Sequence, residues 1–123
     1  MKGFVANVLA LCALTVAISA QPLTAAEFSM STRGGKGFTL ETAGDQVTQK
    51  TTDFVICGET VETITKVKLW MPEHGHGSSA VQLGVTSEGC RVVNKVNFTM
   101  RGLWEVRLEL NDGDTGAFEL DVE

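Results

Sequence analysis

Leu103-Trp104-Glu105-Val106-Arg107-Leu108-Glu109-Leu110, then Asn111-Asp112-Gly113-Asp114, then Gly116-Ala117-Phe118-Glu119-Leu120-Asp121-Val122 is the stretch that decides the fold. In its first part Trp104, Val106, Leu108 and Leu110 alternate with Glu105, Arg107 and Glu109. In its last part Phe118, Leu120 and Val122 alternate with Glu119, Asp121 and Glu123. Side chains along a strand point to opposite faces in turn, so each run has one apolar face and one wet face. The four residues between them tolerate positive φ, and the pair reads as a hairpin.

The same pattern extends backwards. Short alternating runs bounded by Gly, Asp, Asn and Ser recur about every ten to fifteen residues, and no segment after residue 26 keeps a helical period. The expected strands are Gly37–Thr42, 52–58, 62–71, 79–86, 91–100, 103–110 and 116–122. Seven strands of this kind predict an all-β domain of two packed antiparallel sheets. Val67, Leu69 and Met71 share a face opposite Lys66, Lys68 and Trp70, and Val96, Phe98 and Met100 share another. Both methionines are therefore expected to finish strands on the inner face. Gly34-Gly35-Lys36-Gly37 has no Ser or Thr after its lysine and no helix following, so it reads as a flexible connector, not a phosphate loop.

The 123 residues are 43% hydrophobic and 20% charged, which suits one globular domain and excludes a multidomain enzyme. Ten basic residues against fifteen acidic ones give a net charge of −5, which argues against nucleic-acid binding. The beginning of the chain has Lys2, an apolar run from Phe4 to Ala20, and then small residues up to Ala26. This is the layout of a secretory signal peptide over residues 1–26, with cleavage expected after Ala26 and Ala20 as a second site. Membrane attachment follows only if that segment stays uncleaved as an anchor. Leu11 is too large to precede a lipid-modified Cys12. The expected location is periplasmic or secreted, with an N-terminal segment and first strand over 27–50 and a sandwich core over 51–123.

The exported part retains Cys57 and Cys90. An even pair in a short exported domain reads as a disulfide, and closing the loop between them is worth about 3.8 kcal/mol of loop-closure entropy. Thiol chemistry or metal ligation by these sulfurs has no Cys-x-x-Cys pair to support it. The acidic residues between Glu109 and Glu123 lack the alternating carboxylates of a calcium loop and fall on a solvent face.

The chemistry concentrates in Leu69-Trp70-Met71-Pro72-Glu73-His74-Gly75-His76-Gly77-Ser78. Both histidines of the chain are here, and in an extended backbone the His-x-His spacing projects both imidazoles to one side. Met71 adds a thioether, and Met100 adds another if the two strand ends meet. Imidazole with thioether selects copper, Cu(I) in particular, over zinc. Glu73 serves a zinc version less well, because its position points it away from both rings. The competing reading is a solvated glycine-rich turn with two methionines as core filler.

Trp70-Met71-Pro72, then His74-Gly75-His76-Gly77, then Asn97-Phe98-Thr99-Met100-Arg101-Gly102-Leu103-Trp104-Glu105-Val106 resembles the YtkA-like and FixH-like domain family of bacterial exported or membrane-anchored proteins. The family pattern is a Met-Pro turn followed by His or Met, then a strand reading Phe-x-Met-x-Gly-x-Trp, and the resemblance covers roughly residues 55 to 122. It implies a small immunoglobulin-like β-sandwich associated with copper transport, copper resistance or oxidase assembly. Carried over by position, it implies Met71, His74, His76 and Met100 as metal ligands. The partner it implies is a copper transporter, a chaperone or an oxidase assembly protein.

Two functions survive. One is an exported copper-binding module for buffering or delivery; the other is a non-catalytic structural or interaction domain of the cell envelope, using its edge strands. Catalysis is not expected, because the two imidazoles lie in a glycine-flexed turn that holds a general base poorly. A blue-copper site lacks its thiolate, and Cys-x-x-Cys-His for haem is absent. Asn97-Phe98-Thr99 matches a glycosylation pattern but lies within an expected strand and reads as coincidence.

Overall fold

The computed structural model describes residues 26–42 and 47–123. The expected signal segment lies outside the described residues except for Ala26. Among the described residues nine strands form: β1 (Ala26–Ser31), β2 (Gly37–Thr42), β3 (Thr52–Cys57), β4 (Ile64–Met71), β5 (His76–Gly77), β6 (Gln82–Ser87), β7 (Cys90–Val96), β8 (Gly102–Leu110) and β9 (Thr115–Val122). They build a five-stranded sheet in the order β1-β2-β3-β7-β6 and a four-stranded sheet in the order β9-β8-β4-β5. Every pairing is antiparallel. Consecutive strands cross between the sheets after β3, β5 and β7, which is the immunoglobulin-like connectivity with β1 added at one edge.

The hairpin that opens the sequence reading is the spine of the smaller sheet. Val106 faces Phe118 and Trp104 faces Leu120 across β8 and β9, and all four are buried. The loop closes with Gly113 N donating to Leu110 O at 3.0 Å and Leu110 N to Asp114 O at 2.8 Å. Gly113 takes a φ of 88°, the left-handed residue that a three-residue hairpin loop requires. Opposite this sheet, Phe38, Leu40, Phe54, Ile56, Val93 and Val96 supply the other half of the core.

The Cys57–Cys90 disulfide is present and joins register partners on the neighbouring strands β3 and β7. It lies within the five-stranded sheet and encloses the chain excursion through β4 and β5. Among the described residues no helix is long and apolar enough to cross a membrane.

Besides the two-residue β5, which is not among the expected strands, three features depart from the sequence reading. β1 was not among the expected strands; only Phe28 and Met30 carry its apolar face, both half-buried against the core, so its alternation is too short to stand out. The expected strand 91–100 stops at Val96. Lys95 turns to a φ of 64° and the β3–β7 register slips between Thr52 and Phe54, a bulge that lets Val93 and Val96 both face inward at a spacing of three. The Gly34–Gly37 stretch is a fastened turn, not a free connector: Gly35 N donates to Thr32 O, Gly34 N to Asp114 Oδ1, and Lys36 Nζ to Asp112 Oδ2.

Candidate metal centre

Pro72 halts β4 because it carries no N–H for a ladder, and the chain reverses at once. Met71 O accepts from both His74 N at 3.3 Å and Gly75 N at 2.8 Å, with Gly75 at a φ of 65°. The segment from Pro72 to Gly75 is therefore a tight turn and not the extended chain that the His-x-His spacing suggests. The turn still gathers the rings: the His74 and His76 centroids stand 5.9 Å apart. After the turn His76 pairs directly with Met71 across β4 and β5, so the two side chains project to the same face.

Met100 arrives from the other side, on residues 97–101. With the strand finished at Val96, this segment has carbonyls outside the ladder, and four in succession are satisfied by other means. Asn97 O accepts from Ser78 Oγ, Phe98 O from Gln49 N at 2.9 Å, Thr99 O from Gln49 Nε2 at 3.2 Å, and Met100 O from Trp104 Nε1 at 2.8 Å. Satisfying each acceptor fixes the backbone in one course. The Met100 Sδ then lies 3.3 Å from His76 Nε2. The other ring nitrogen, Nδ1, is 3.2 Å from Gly77 O. The His76 ring also stands edge-on to Trp104, with centroids 6.0 Å apart, and Trp104 packs on Phe98 at 5.2 Å.

The structure thus brings His76, Met100 and His74 together, and sets Met71 beneath them. The expectation that both methionines end strands on the inner face holds for Met71, which is 1% exposed, and fails for Met100, which is 37% exposed. The reason is the Lys95 bulge and the strand end it precedes: the parity that placed Met100 inward no longer applies past Val96. Gly102 keeps Met71 close to the Met100 segment. Its φ is 129°, and a Cβ there would stand 2.7 Å from Met71 Cε, so the thioether methyl occupies the space a side chain would need.

The donor set runs from inside to outside: a buried thioether, a half-buried imidazole, then an exposed thioether and an exposed imidazole. Glu73 is exposed in the turn, and among the described residues no three His, Cys, Asp or Glu side chains come together. Cys57 and Cys90 are both occupied by the disulfide. What remains at this end is soft sulfur and borderline nitrogen, the ligand chemistry that favours Cu(I). Sequence reasoning missed the residues that position Met100. Trp104 lay within the quoted motif, but its indole hydrogen bond did not follow from it. Gln49 and Ser78 carried no signal at all, since each acts through a backbone carbonyl remote in sequence. Comparison with family models, with curated proteins and with solved structures finds nothing that matches this chain.

Proposed function

We propose that this domain is an exported copper-binding module that holds Cu(I) for buffering or delivery through Met71, His74, His76 and Met100. The observation that carries this reading is the approach of His76 Nε2 to Met100 Sδ at 3.3 Å, on a backbone segment in which the carbonyls from Asn97 to Met100 are engaged. Imidazole and thioether in contact fit a soft monovalent ion, and among the described residues no group of three His, Cys, Asp or Glu side chains offers a harder alternative. His76 and Met100 would hold the ion first, His74 would complete the set from the exposed turn, and Met71 would support from below. Ligands at the end of a rigid sandwich are accessible to the site of a transporter, chaperone or assembly protein. No catalytic step is involved.

The test is a competition titration of the disulfide-bonded chain against a Cu(I) chelator, beside the His74→Ala, His76→Ala double variant. Stoichiometric binding by the parent that is lost in the variant supports the reading. Absence of binding by the parent overturns it and leaves the structural or interaction role.

A further inference from the structure

The outer face of the smaller sheet carries a charge arrangement unlike the rest of this acidic chain. Lys68, Arg107 and Ala117 stand side by side across β4, β8 and β9. Lys66 lies two residues from Lys68 on the same face. Arg33 approaches from the β1–β2 turn, its N donating to Thr115 O at 2.9 Å beside the edge of β9. Because Thr115, Gly116 and Ala117 are small, the space above them is a trough of about 460 Å³. Its walls hold four cationic side chains, Arg33, Lys66, Lys68 and Arg107, against one carboxylate, Glu109.

Of these four cations only Arg107 is in an ion pair among the described residues. Lys36 at the neighbouring turn is paired with Asp112 and Asp114, and Arg107 Nε donates to Glu105 at 2.7 Å. Among the described residues no carboxylate lies within ion-pair distance of Arg33, Lys66 or Lys68. Lys68 and Arg107 are direct cross-strand partners of like charge, an arrangement that costs stability by itself. Both lie over the same Trp70 ring, at 4.6 and 5.0 Å from its centroid, which fixes their stems without neutralising them. An oxyanion placed between them relieves the repulsion, and guanidinium with ammonium groups is the donor set such an ion accepts.

We infer that this trough is a binding site for a small multivalent oxyanion, of the phosphate-ester or polycarboxylate kind. Its residues are separate from the His and Met cluster, so it stands or falls independently of copper binding. The trough volume lies in the range of small-molecule sites, and the aliphatic stems of the lysines and arginines give a ligand an apolar wall.

The experiment is an amide chemical-shift titration of the disulfide-bonded chain with pyrophosphate and with citrate, each at ionic strength held constant with NaCl. Saturable shifts are expected at Thr115–Ala117 and Arg107. The Lys66→Gln, Lys68→Gln double variant is expected to bind about tenfold more weakly. Arg33→Gln, on a different element, should weaken binding too and guards against a loss of structure in the double variant. Lys50→Gln, away from the trough, should bind as the parent does. Shifts that do not saturate, shifts that NaCl alone reproduces, or equal weakening by Lys50→Gln would overturn the inference.

Discussion

The two ends of the smaller sheet handle their polar side chains in opposite ways. At the end where β4 begins and β8 finishes, the loop from Thr32 to Lys36 and the turn from Asn111 to Asp114 use their charged groups on one another. Asp114 accepts from the Thr32 hydroxyl at 2.6 Å, from Gly34 N and from Thr115 N, while Lys36 binds Asp112 at 2.6 Å. At the end where β4 finishes and β8 begins, His76 and Met100 face each other and His74 stands free in solvent beside them. The acidic end read in sequence as charge on a solvent face without the pattern of a calcium loop, and the structure uses Asp112 and Asp114 to hold two loops together. The histidine end has no ion pair among the described residues and brings its imidazoles and thioether onto one another, and the proposed ligand set rests on that difference.

Met71 is a core residue and a proposed ligand, and breaking it has the largest effect. Met71→Ala should destabilise the fold by about 2–5 kcal/mol, the range for emptying a buried methionine site, measured by urea unfolding. Met71→Leu keeps the volume and should cost under about 1.5 kcal/mol. If Cu(I) affinity in Met71→Leu equals that of the parent, Met71 is core alone and the ligand set reduces to the other three residues.

Next in size is the stabilisation by metal. A ligand that binds only the folded state adds about 2.7 kcal/mol at a free concentration a hundred times its dissociation constant. Thermal unfolding should therefore move upward with Cu(I) in the parent and stay still in the His74→Ala, His76→Ala variant. Asp114→Asn should show the same upward movement as its parent, because none of the proposed ligands lies at its end of the sheet.

Asp114→Asn should itself lower stability at neutral pH, by less than Met71→Ala and more than any change at Met100. The Thr32 hydroxyl, with the Gly34 and Thr115 amides, holds the Asp114 carboxyl below its ordinary 3.8, and hydrogen bonding from Lys36 does the same for Asp112. A carboxyl lowered by folding stabilises fully above its unfolded value and loses that contribution as pH falls below it. The gap between parent and Asp114→Asn should accordingly be constant near neutrality and shrink below pH 3.8. Lys36 is raised above 10.5 by its bond to Asp112, so its contribution persists below that pH and fades as pH rises through the folded value. Urea midpoints taken across both limbs check the signs.

The sandwich was legible wherever alternation ran unbroken. The β8–β9 hairpin and its turn, Val67 to Met71 inward against Lys66 and Lys68, and the Cys57–Cys90 pair were all readable from residue order. Reading failed where a strand broke its own period. Neither the bulge at Asn94–Lys95 nor the end of β7 at Val96 is signalled by a Gly or Pro, so parity carried Met100 to the wrong face. β1 was missed because two half-buried residues make a weak pattern. At the histidine end the residue types were plain, but the contact between His76 and Met100 depends on Gln49, Ser78 and Trp104 binding backbone carbonyls. Side-chain identity carries no mark of such a role.

Met100→Leu is the smallest perturbation of stability and the sharpest test of the comparison. The side chain is more than a third exposed, its backbone is held by bonds that the substitution does not touch, and leucine has a similar volume. Stability should stay within about 0.5 kcal/mol of the parent, as at surface positions free of special contacts. Cu(I) affinity should fall by about tenfold or more, since the only change of chemistry is the loss of sulfur beside His76 Nε2. Zinc affinity, which gains little from a thioether, should hardly move. A variant that keeps its Cu(I) affinity would make the 3.3 Å contact a packing contact like those elsewhere in the core. The histidine end would then differ from the acidic end in exposure and not in purpose.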